Sequence, residues 1–291
     1  MAVRRFWLLG FAVLLFIGGI AFWSAVFDGN FLARPNRIGV VEVEGLIEDT
    51  QDNVKAMKEF RENDNVRAIV LRVNSPGGGV GASQELCQEV RRTVPDKPVV
   101  ASLGGVAASG GYYIASAASH IVANPGTITG SIGVIMAFPN LRGLFDKIGY
   151  DTITIKAGKF KDVGNPGREM TPEERAYMQS TIDEAHRQFI RDVAQGRKLS
   201  EEKVREVADG RIIMGETARG LNLVDQLGNF EDAVKAATEL GKIEGKPELV
   251  YARKHKDALL DYLLGGRATS RLNAVLSGSW NFLRYQLPVL P

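Results

Sequence analysis

Two serines of this chain lie in glycine-flanked turns, where a hydroxyl could act as a nucleophile. Ser131 lies in GTITGSIGV (residues 126–134), and the preceding Gly130 would let the backbone lift the hydroxyl out of a strand. Ser109 lies in ASGGYY (residues 108–113), at the start of a predicted helix of small residues. Serine is also common in plain turns and helix caps, so either residue needs a nearby base before acyl transfer can be inferred.

The three histidines do not supply that base convincingly. His120 precedes a short apolar run, His186 falls inside a long helical pattern, and His255 lies in the basic stretch RKHK. None of them stands in a glycine-rich loop beside an acidic residue. A Ser-His-Asp triad is defined by geometry rather than by chain order, but this pattern disfavours one.

Lysine can replace histidine as the base if its amine is kept neutral. The candidates are Lys156, Lys159 and Lys161 in TIKAGKFKDVGNP, where an alternating segment breaks into a loop after Gly158. A free lysine has a pKa near 10.4, and burial would have to lower it to roughly 6 to 8 for this work. Most lysines are solvated, so the residues alone leave the choice among the three open.

A third glycine turn, SPGGGVG (residues 75–81), joins a predicted buried strand to a helix. Free backbone N–H groups at such a junction can bind an anion. A phosphate loop would need lysine and then serine or threonine after the last glycine, whereas Ala82 and Ser83 follow it, and the dinucleotide spacing also fails. The segment is therefore a tight turn or an oxyanion site with donors at Gly77 and Gly78.

These motifs belong to a chain that alternates apolar runs with amphipathic segments from Arg37 onward. RIGVVEVEGLI, VRAIVLRVNS, PVVASLGG and HIVANP predict strands, and the segments between them predict helices. Such alternation is typical of an α/β fold with a mostly parallel sheet covered by helices. The serine turns and the lysine loop could then reach the same edge of the sheet.

Further along the chain, DTITIKAG (residues 151–158) alternates like another strand. A long helix is predicted from Thr171 to about Gly196, because TPEE supplies an N-cap, a proline at the first helical position and a glutamate at the third. No internal repeat or low-complexity linker interrupts the pattern. We therefore expect one catalytic domain over residues 37–254.

The N-terminal residues differ in character from this domain. Residues 6–27 carry no charge and would span about 33 Å as a helix, enough to cross a bilayer. Trp7 and Trp23 near the ends resemble interfacial anchors, and basic residues before the run favour an inside N-terminus. We expect a cytoplasmic segment (1–5), a transmembrane anchor (6–27), a linker (28–36) and an extracytoplasmic domain, that is, a single-pass protein of the cell membrane. A cleaved signal peptide is the alternative.

Composition excludes several classes of function. The 291 residues are 45% hydrophobic and 24% charged with a net charge of +2, so no basic surface for nucleic acid is predicted. The single cysteine, Cys87, lies in a helical pattern and is expected to be a buried filler, which excludes disulfides and cysteine-rich metal sites. No cofactor or metal is predicted.

Residues 255–291 form an amphipathic tail that is expected to pack on a membrane or enter a neighbouring active site as a pseudo-substrate.

In their order along the chain, SPGGG, ASGGYYIA, TGSIGVI, AGKFKDVGNPGREMT and DGRIIMGETARGLNLVDQLG resemble the short, single-domain form of signal peptide peptidase A. The resemblance covers residues 37–240, and the N-terminal apolar run agrees with it. It implies a Clp protease/crotonase-like fold. It also implies a serine protease with a Ser-Lys dyad, which degrades signal peptides that stay in the membrane after secretion.

The resemblance implies roles for residues that the pattern alone left open. The nucleophile falls on Ser131 and the general base on Lys161, with Lys159 as a reserve. The family often has serine after this lysine, whereas Asp162 follows it here. A carboxylate pointing at the amine would raise the pKa of the lysine, so we expect Asp162 to point away.

The remaining implications concern the surroundings of the dyad. Gly77 and Gly78 would stabilise the oxyanion, while Ser109 and Gly130 would shape the site. In the family that the sequence resembles, short members form dome-shaped rings in which adjacent subunits share each dyad. The resemblance therefore implies a homo-oligomer, specifically an octamer. The substrates would be signal-peptide remnants and other extended apolar peptides. Two alternatives stay open: a crotonase-like acyl-CoA hydrolase or isomerase, and a non-catalytic membrane-anchored scaffold.

Overall fold

The strands form the centre of the structure, a computed structural model that describes residues 15–16, 36–252 and 284–286. Over the described residues the strands are β1 (Arg37–Ile47), β2 (Val66–Gly79), β3 (Val99–Ala107), β4 (His120–Ala123), β5 (Ile128–Gly130), β6 (Ile212–Met214), β7 (Gln226–Leu227), β8 (Glu248–Tyr251) and β9 (Arg284–Gln286).

Helices connect most of these strands. Within the same residues they are α1 (Gln51–Glu62), α2 (Val80–Thr93), α3 (Gly110–Ala115), α4 (Arg142–Ile148), α5 (Pro172–Arg197), α6 (Glu201–Arg205), α7 (Gly215–Gly220) and α8 (Phe230–Leu240).

Parallel pairing dominates the sheet. The strands lie side by side in the order β8, β1, β2, β3, β4, β7, and each is parallel to the next. Strand β5 is parallel to the end of β3, while β6 pairs with β5 and β9 pairs with β2 in antiparallel fashion. The predicted α/β fold with a mostly parallel sheet is therefore confirmed.

Helices bury both faces of the sheet, because alternate residues of each strand point to opposite sides. On one face, Val41 and Leu71 belong to a large apolar core with residues of α1, α2, α3 and α5. On the other face, Val40 and Val70 pack with α8. Each of these four strand residues is fully buried, so the centre of the sheet is a rigid base for the turns at its edge.

Helix α5 begins as its sequence predicts. The Thr171 hydroxyl accepts a hydrogen bond from the Glu174 N–H, and the Glu174 carboxylate accepts one from the Thr171 N–H, which completes a capping box. Pro172 takes the first helical position. The helix continues to Arg197, one residue beyond the predicted end near Gly196, and brings Phe189 into the core.

The strand predicted at residues 151–158 is not formed in the described part of the chain. Residues 151–156 have no strand pairing among the described residues, and the side chains of Ile153 and Ile155 are 87% and 96% exposed. Alternation predicts a strand correctly only where a partner edge is available. Here the segment belongs to an arm (residues 134–170) that follows β5, and residues 151–158 pair with none of the described strands.

The predicted segments at both ends lie largely outside the described residues. Of the anchor predicted at 6–27, only Leu15 and Phe16 are described, as helix. In the part of the chain that the structure covers, no helix is long and apolar enough to span a bilayer. Of the tail predicted at 255–291, only β9 is described, and its backbone pairs with Gly77–Gly79.

Candidate active site

Ser131 stands in a sharp turn directly after strand β5. Its φ is +50°, and Gly130 before it has a φ of +69°, so two successive residues leave the strand in a left-handed conformation. A non-glycine residue in this region costs of order 1–3 kcal/mol and persists only where its surroundings fix it. The side chain is 4% exposed. The turn predicted from Gly130 is therefore present, and a bulkier residue at that position would be strained.

The segment Asp209–Ile212 fixes this turn from the side of β6. The Ser131 N–H donates to the carbonyl of Arg211 at 2.8 Å, continuing the β5–β6 ladder by one residue. The Arg211 guanidinium donates to Asp209 at 2.7 and 2.5 Å, which stabilises the turn around Gly210. The sequence assigned these residues no function of their own. An Asp-Gly-Arg turn before an apolar run is the only signal that marks them.

Ser109 contacts the turn of Ser131 through its backbone. Its φ of +53° and ψ of −118° are strained for serine, and its N–H donates to the carbonyl of Gly130 at 2.8 Å. The hydroxyl does not cap α3, and among the described residues it has no hydrogen-bond partner although it is buried. A buried, unpaired hydroxyl costs about 1–3 kcal/mol. Ser109 therefore holds the residue before Ser131 at an energetic cost.

The SPGG turn requires its glycines. Gly77 has a φ of +105°, and a Cβ on Gly78 would lie 2.1 Å from the carbonyl oxygen of Ile47. The Gly77 N–H donates to the Ser75 hydroxyl at 3.1 Å. Both predicted oxyanion donors thus lie in a closely packed turn at the end of β2.

Backbone hydrogen bonds bring four sequence motifs to one edge of the sheet. They run from SPGG through ASGG and TGSIG to the DGR turn: Ala108 N–H to Ser75 O at 3.1 Å, Ser109 N–H to Gly130 O at 2.8 Å, and Ser131 N–H to Arg211 O at 2.8 Å. Each of these bonds joins the backbones of two motifs. The predicted clustering of the glycine turns is confirmed.

Strand β9 lies against the SPGG turn. Its backbone is antiparallel to β2, with Gly77 opposite Gln286, Gly78 opposite Tyr285 and Gly79 opposite Arg284. The edge of β2 beside the turn is therefore able to accept an extended peptide strand.

The three candidate lysines differ in what their amines contact. Lys156 forms an ion pair with Asp162, and Lys159 forms one with Glu173 at 2.5 Å. The amine of Lys161 makes no hydrogen bond or ion pair with any residue between 36 and 252. The amines of Lys156 and Lys159 are therefore held in ion pairs with carboxylates, whereas that of Lys161 is not.

The structure does not join Ser131 to Lys161 by a hydrogen bond. The Ser131 hydroxyl has no partner among the described residues, and Lys161 is exposed in the arm. The histidines are no nearer to a triad: His120 contacts Gln226 at 3.3 Å, His186 lies in α5, and His255 falls outside the described residues.

Asp162 points to cations other than Lys161. Its carboxylate accepts hydrogen bonds from Arg168, at 3.0 Å from Nε, and from Lys156, and these lower the pKa of the Asp162 carboxyl to about 2. The expectation that Asp162 points away from Lys161 is consistent with these contacts. Arg168 was not singled out from the sequence, because nothing in the local pattern indicates that it contacts Asp162.

Cys87 is a fully buried residue of α2, as predicted for a filler. Burial raises the pKa of its thiol to about 12, so it is not a nucleophile at neutral pH.

Two protein families match this sequence. The profile of peptidase family S49 matches residues 92–244, which include both Ser131 and Lys161. The profile of the Clp protease family matches residues 37–125, which include the SPGG turn and Ser109. The two matches together cover residues 37–244, which include strands β1 to β7 and the edge at which the glycine turns meet.

Several relatives are similar over most of the chain. A protein of Synechocystis named as a putative protease is 46% identical over 73% of this chain and 78% of its own length. A protein of Enterococcus faecium named as a putative signal peptide peptidase SppA is 35% identical over 75% of this chain and 68% of its own. Protease 4 of Salmonella typhi is 38% identical over 71% of this chain, which corresponds to 35% of that longer protein.

Proposed function

Because this chain belongs to peptidase family S49 and is a serine protease, we propose that it cleaves peptides with a dyad of Ser131 and Lys161. The observation that carries the assignment is the backbone of Ser131, a strained left-handed turn where SPGG, ASGG, TGSIG and DGR meet. Lys161 is chosen over Lys156 and Lys159 because those two amines are bound to carboxylates.

The proposed reaction is acyl transfer in two steps. Neutral Lys161 takes the proton of the Ser131 hydroxyl as the oxygen attacks the peptide carbonyl, and the protonated amine then gives it to the leaving amine. Water, deprotonated by the same lysine, hydrolyses the acyl-enzyme. The N–H groups of Gly77 and Gly78 would bind the oxyanion. The Gly77 N–H would replace its hydrogen bond to the Ser75 hydroxyl with one to the substrate oxygen.

We propose that the dyad is completed between neighbouring subunits. Lys161 is exposed in the arm, and no hydrogen bond connects it to Ser131 of the same chain. The arm also presents Ile153 and Ile155 on an extended segment without a strand partner among the described residues. Pairing with a second copy would bury these side chains and immobilise Lys161. A closed ring, an octamer as the family resemblance implies, would provide this pairing for every subunit.

The substrates we propose are extended apolar peptides, with signal-peptide remnants as the biological class. The β2 edge at Gly77–Gly79 can pair with an antiparallel strand, since β9 does so. A substrate held this way would present its carbonyl beside the glycine N–H groups. The C-terminal tail would then compete with the substrate for the same edge.

Membrane attachment is proposed from the sequence. Residues 6–27 are uncharged and long enough to cross a bilayer, which would hold the catalytic domain at the extracytoplasmic surface. Peptides released into the membrane by secretion would be available there. Cell fractionation and protease accessibility of the domain in spheroplasts test this placement, and a domain that is protected in intact spheroplasts would contradict it.

Serine substitutions test the nucleophile. Ser131→Ala should lose hydrolysis of casein and of a signal-peptide substrate, together with labelling by a fluorophosphonate, while its circular dichroism and melting temperature stay close to those of the wild type. Ser109→Ala should keep the label, because Ser109 acts through its backbone N–H. An active Ser131→Ala protein combined with an inactive Ser109→Ala protein would exchange the two roles.

Lysine substitutions test the base. Lys161→Ala should lower kcat by about 10² to 10⁴-fold, the usual contribution of a general base. Lys159→Ala is the matched control, because it removes a nearby amine that is paired with Glu173. An inactive Lys159 variant beside an active Lys161 variant would move the role to Lys159.

Mixing inactive Ser131→Ala and Lys161→Ala subunits should restore activity if neighbouring subunits share the dyad. No recovery of activity would place the dyad within one chain.

A further inference from the structure

The loop that carries Lys161 has little regular structure of its own. Its backbone bonds are single-turn contacts, such as Lys161 N–H to the Gly158 carbonyl at 3.2 Å and Val163 N–H to the Phe160 carbonyl at 3.3 Å. A catalytic group must be held within about 0.5 Å of its working position. Turns of this kind do not provide such precision, so another contact has to fix the loop.

Phe160 stacks on Tyr177 of α5 and Lys159 pairs with Glu173, but of these contacts only Arg168 holds Asp162, the residue next to Lys161, through both sides of its guanidinium. Toward the loop, Nε donates to Asp162 Oδ2 at 3.0 Å and Nη2 donates to the Asp162 backbone carbonyl at 3.3 Å. Toward the helix, Nη1 and Nη2 donate to the two carboxylate oxygens of Glu174 at 2.8 and 2.5 Å. A planar guanidinium that binds two carboxylates sets their relative position in a way that a single ammonium cannot.

The Glu174 side of this bridge is rigid. Glu174 is buried in the first turn of α5, where its carboxylate also accepts the Thr171 N–H at 2.9 Å in the capping box. The bonds from Arg168 and Thr171 lower the pKa of Glu174 to about 2, so the carboxylate is ionised at any pH at which the enzyme would work. Arg168 thus links the residue next to Lys161 to the longest helix of the described chain.

The charges around the bridge also concern the amine of Lys161. Asp162 is flanked by Lys156 and Arg168, and Lys159 is paired with Glu173. With both cations in place, the Asp162 oxygens are occupied and do not bind the Lys161 amine. Without Arg168, one oxygen would be free to form an ion pair with Lys161 and hold its proton.

We propose that Arg168 is a positioning residue for the reaction: it fastens the Lys161 loop to α5 and keeps the Asp162 carboxylate from pairing with the Lys161 amine. This inference rests on the proposed role of Lys161 as the base. Arg168 touches neither substrate nor nucleophile in this scheme, and it acts only through Asp162 and Glu174.

The test compares kcat, KM and the pH profile of peptide hydrolysis in the full-length protein. Arg168→Ala should lower kcat by about 100-fold, the cost of a base misplaced by about 1 Å, with little change in KM. Its acid limb should move to higher pH, because the freed Asp162 carboxylate would form an ion pair with the ammonium form of the Lys161 side chain. Adding Asp162→Asn should return the limb to its wild-type position without restoring kcat, since the helix contact stays broken.

Two further variants make the outcome decisive. Arg175→Ala is the matched control: Arg175 lies on the same cavity of 450 Å³ as Arg168, but none of its side-chain contacts with the described residues is an ion pair. It should keep wild-type kinetics. Arg168→Lys retains the charge without the two-sided fork and should have an intermediate kcat, about 10-fold reduced. If Arg168→Ala does not fold, Arg168→Lys decides alone, and wild-type kinetics in it would overturn the proposal.

Failure of this inference is distinguishable from failure of the proposed dyad. If Lys161→Ala is inactive while Arg168→Ala keeps its kcat and pH profile, Arg168 has no positioning role and the dyad stands. If Lys161→Ala remains active, the dyad itself is wrong and the proposed role of Arg168 falls with it. A lower kcat in Arg168→Ala with an unmoved acid limb that Asp162→Asn does not affect would show a structural role only, and would also overturn the proposal.

Discussion

Replacing Gly130 by alanine should disable the site with limited damage to the rest of the fold. Gly130 has a φ of +69°, where an L-residue with a Cβ costs about 1–2 kcal/mol. The new Cβ would lie 2.8 Å from Cγ1 and 3.0 Å from Cδ1 of Ile213, inside the 3.5–4.0 Å of normal carbon contacts. Moving Ile213 off its rotamer costs about 0.5–1.5 kcal/mol more.

The two costs together are about 1.5–3.5 kcal/mol, which corresponds to a fall in melting temperature of roughly 3–14 °C for a domain of this size. The backbone can reduce the strain by shifting the turn, but Ser131 follows directly and would move with it. A displacement of about 1 Å lowers kcat by roughly 100-fold. We therefore expect a folded protein with a modestly lower melting temperature and a severe loss of peptide hydrolysis.

Gly126→Ala in the same motif is the matched control. Its φ is not in the positive range, and no atom lies within 4 Å of the added Cβ, so stability and activity should stay near wild type. The clash is tested by adding Ile213→Ala, after which Gly130→Ala should cost less than it does alone. The reasoning is refuted if Gly130→Ala and Gly126→Ala have the same melting temperature and the same kcat.

Three further outcomes follow from the structure. Ile153→Glu should leave the subunit folded but dissociate the oligomer in sedimentation and abolish peptide hydrolysis, whereas Leu240→Glu at the end of α8 should do neither. An intact, active oligomer of Ile153→Glu would exclude the arm from the interface. Deleting residues 279–291 removes the strand opposite Gly77–Gly79 and should raise kcat/KM for short peptides, while an unchanged value would mean that β9 does not compete with substrate. Cys87 should resist iodoacetamide at pH 8 until the protein unfolds, because burial raises the pKa of its thiol to about 12; rapid labelling of the native protein would contradict this.

Much of the fold could be predicted because its signals are local. Apolar runs separated by amphipathic segments predict β1 to β4, and the TPEE sequence predicts the start of α5. The glycine turns follow strands of a parallel sheet, which brings them to one edge whatever their exact contacts. Gly130 before Ser131 indicated a left-handed turn, and that turn is present.

What could not be predicted depends on residues that are far apart in sequence. The bond from the Ser131 N–H to Arg211 has no local signature, and neither does the bridge from Arg168 to Asp162. The prediction of a strand at 151–158 was wrong for the described chain. Alternation indicates which side chains share one face of a strand, but it does not indicate whether a sheet edge is available for pairing. The ion pairs of the lysines also needed coordinates, because only the positions of Asp162 and Glu173 distinguish the paired amines of Lys156 and Lys159 from that of Lys161.

The hydrogen bond between Ser131 and Arg211 also bears on when during folding the enzyme becomes active. Eighty residues separate the two, and closing a loop of that length costs about 4 kcal/mol of chain entropy, which the arm, α5 and α6 must offset as they fold. A nascent chain that ends before the DGR turn lacks the carbonyl that fixes the backbone of Ser131, the proposed nucleophile. On that proposal, we expect proteolytic competence to arise only after nearly the whole domain has been synthesised.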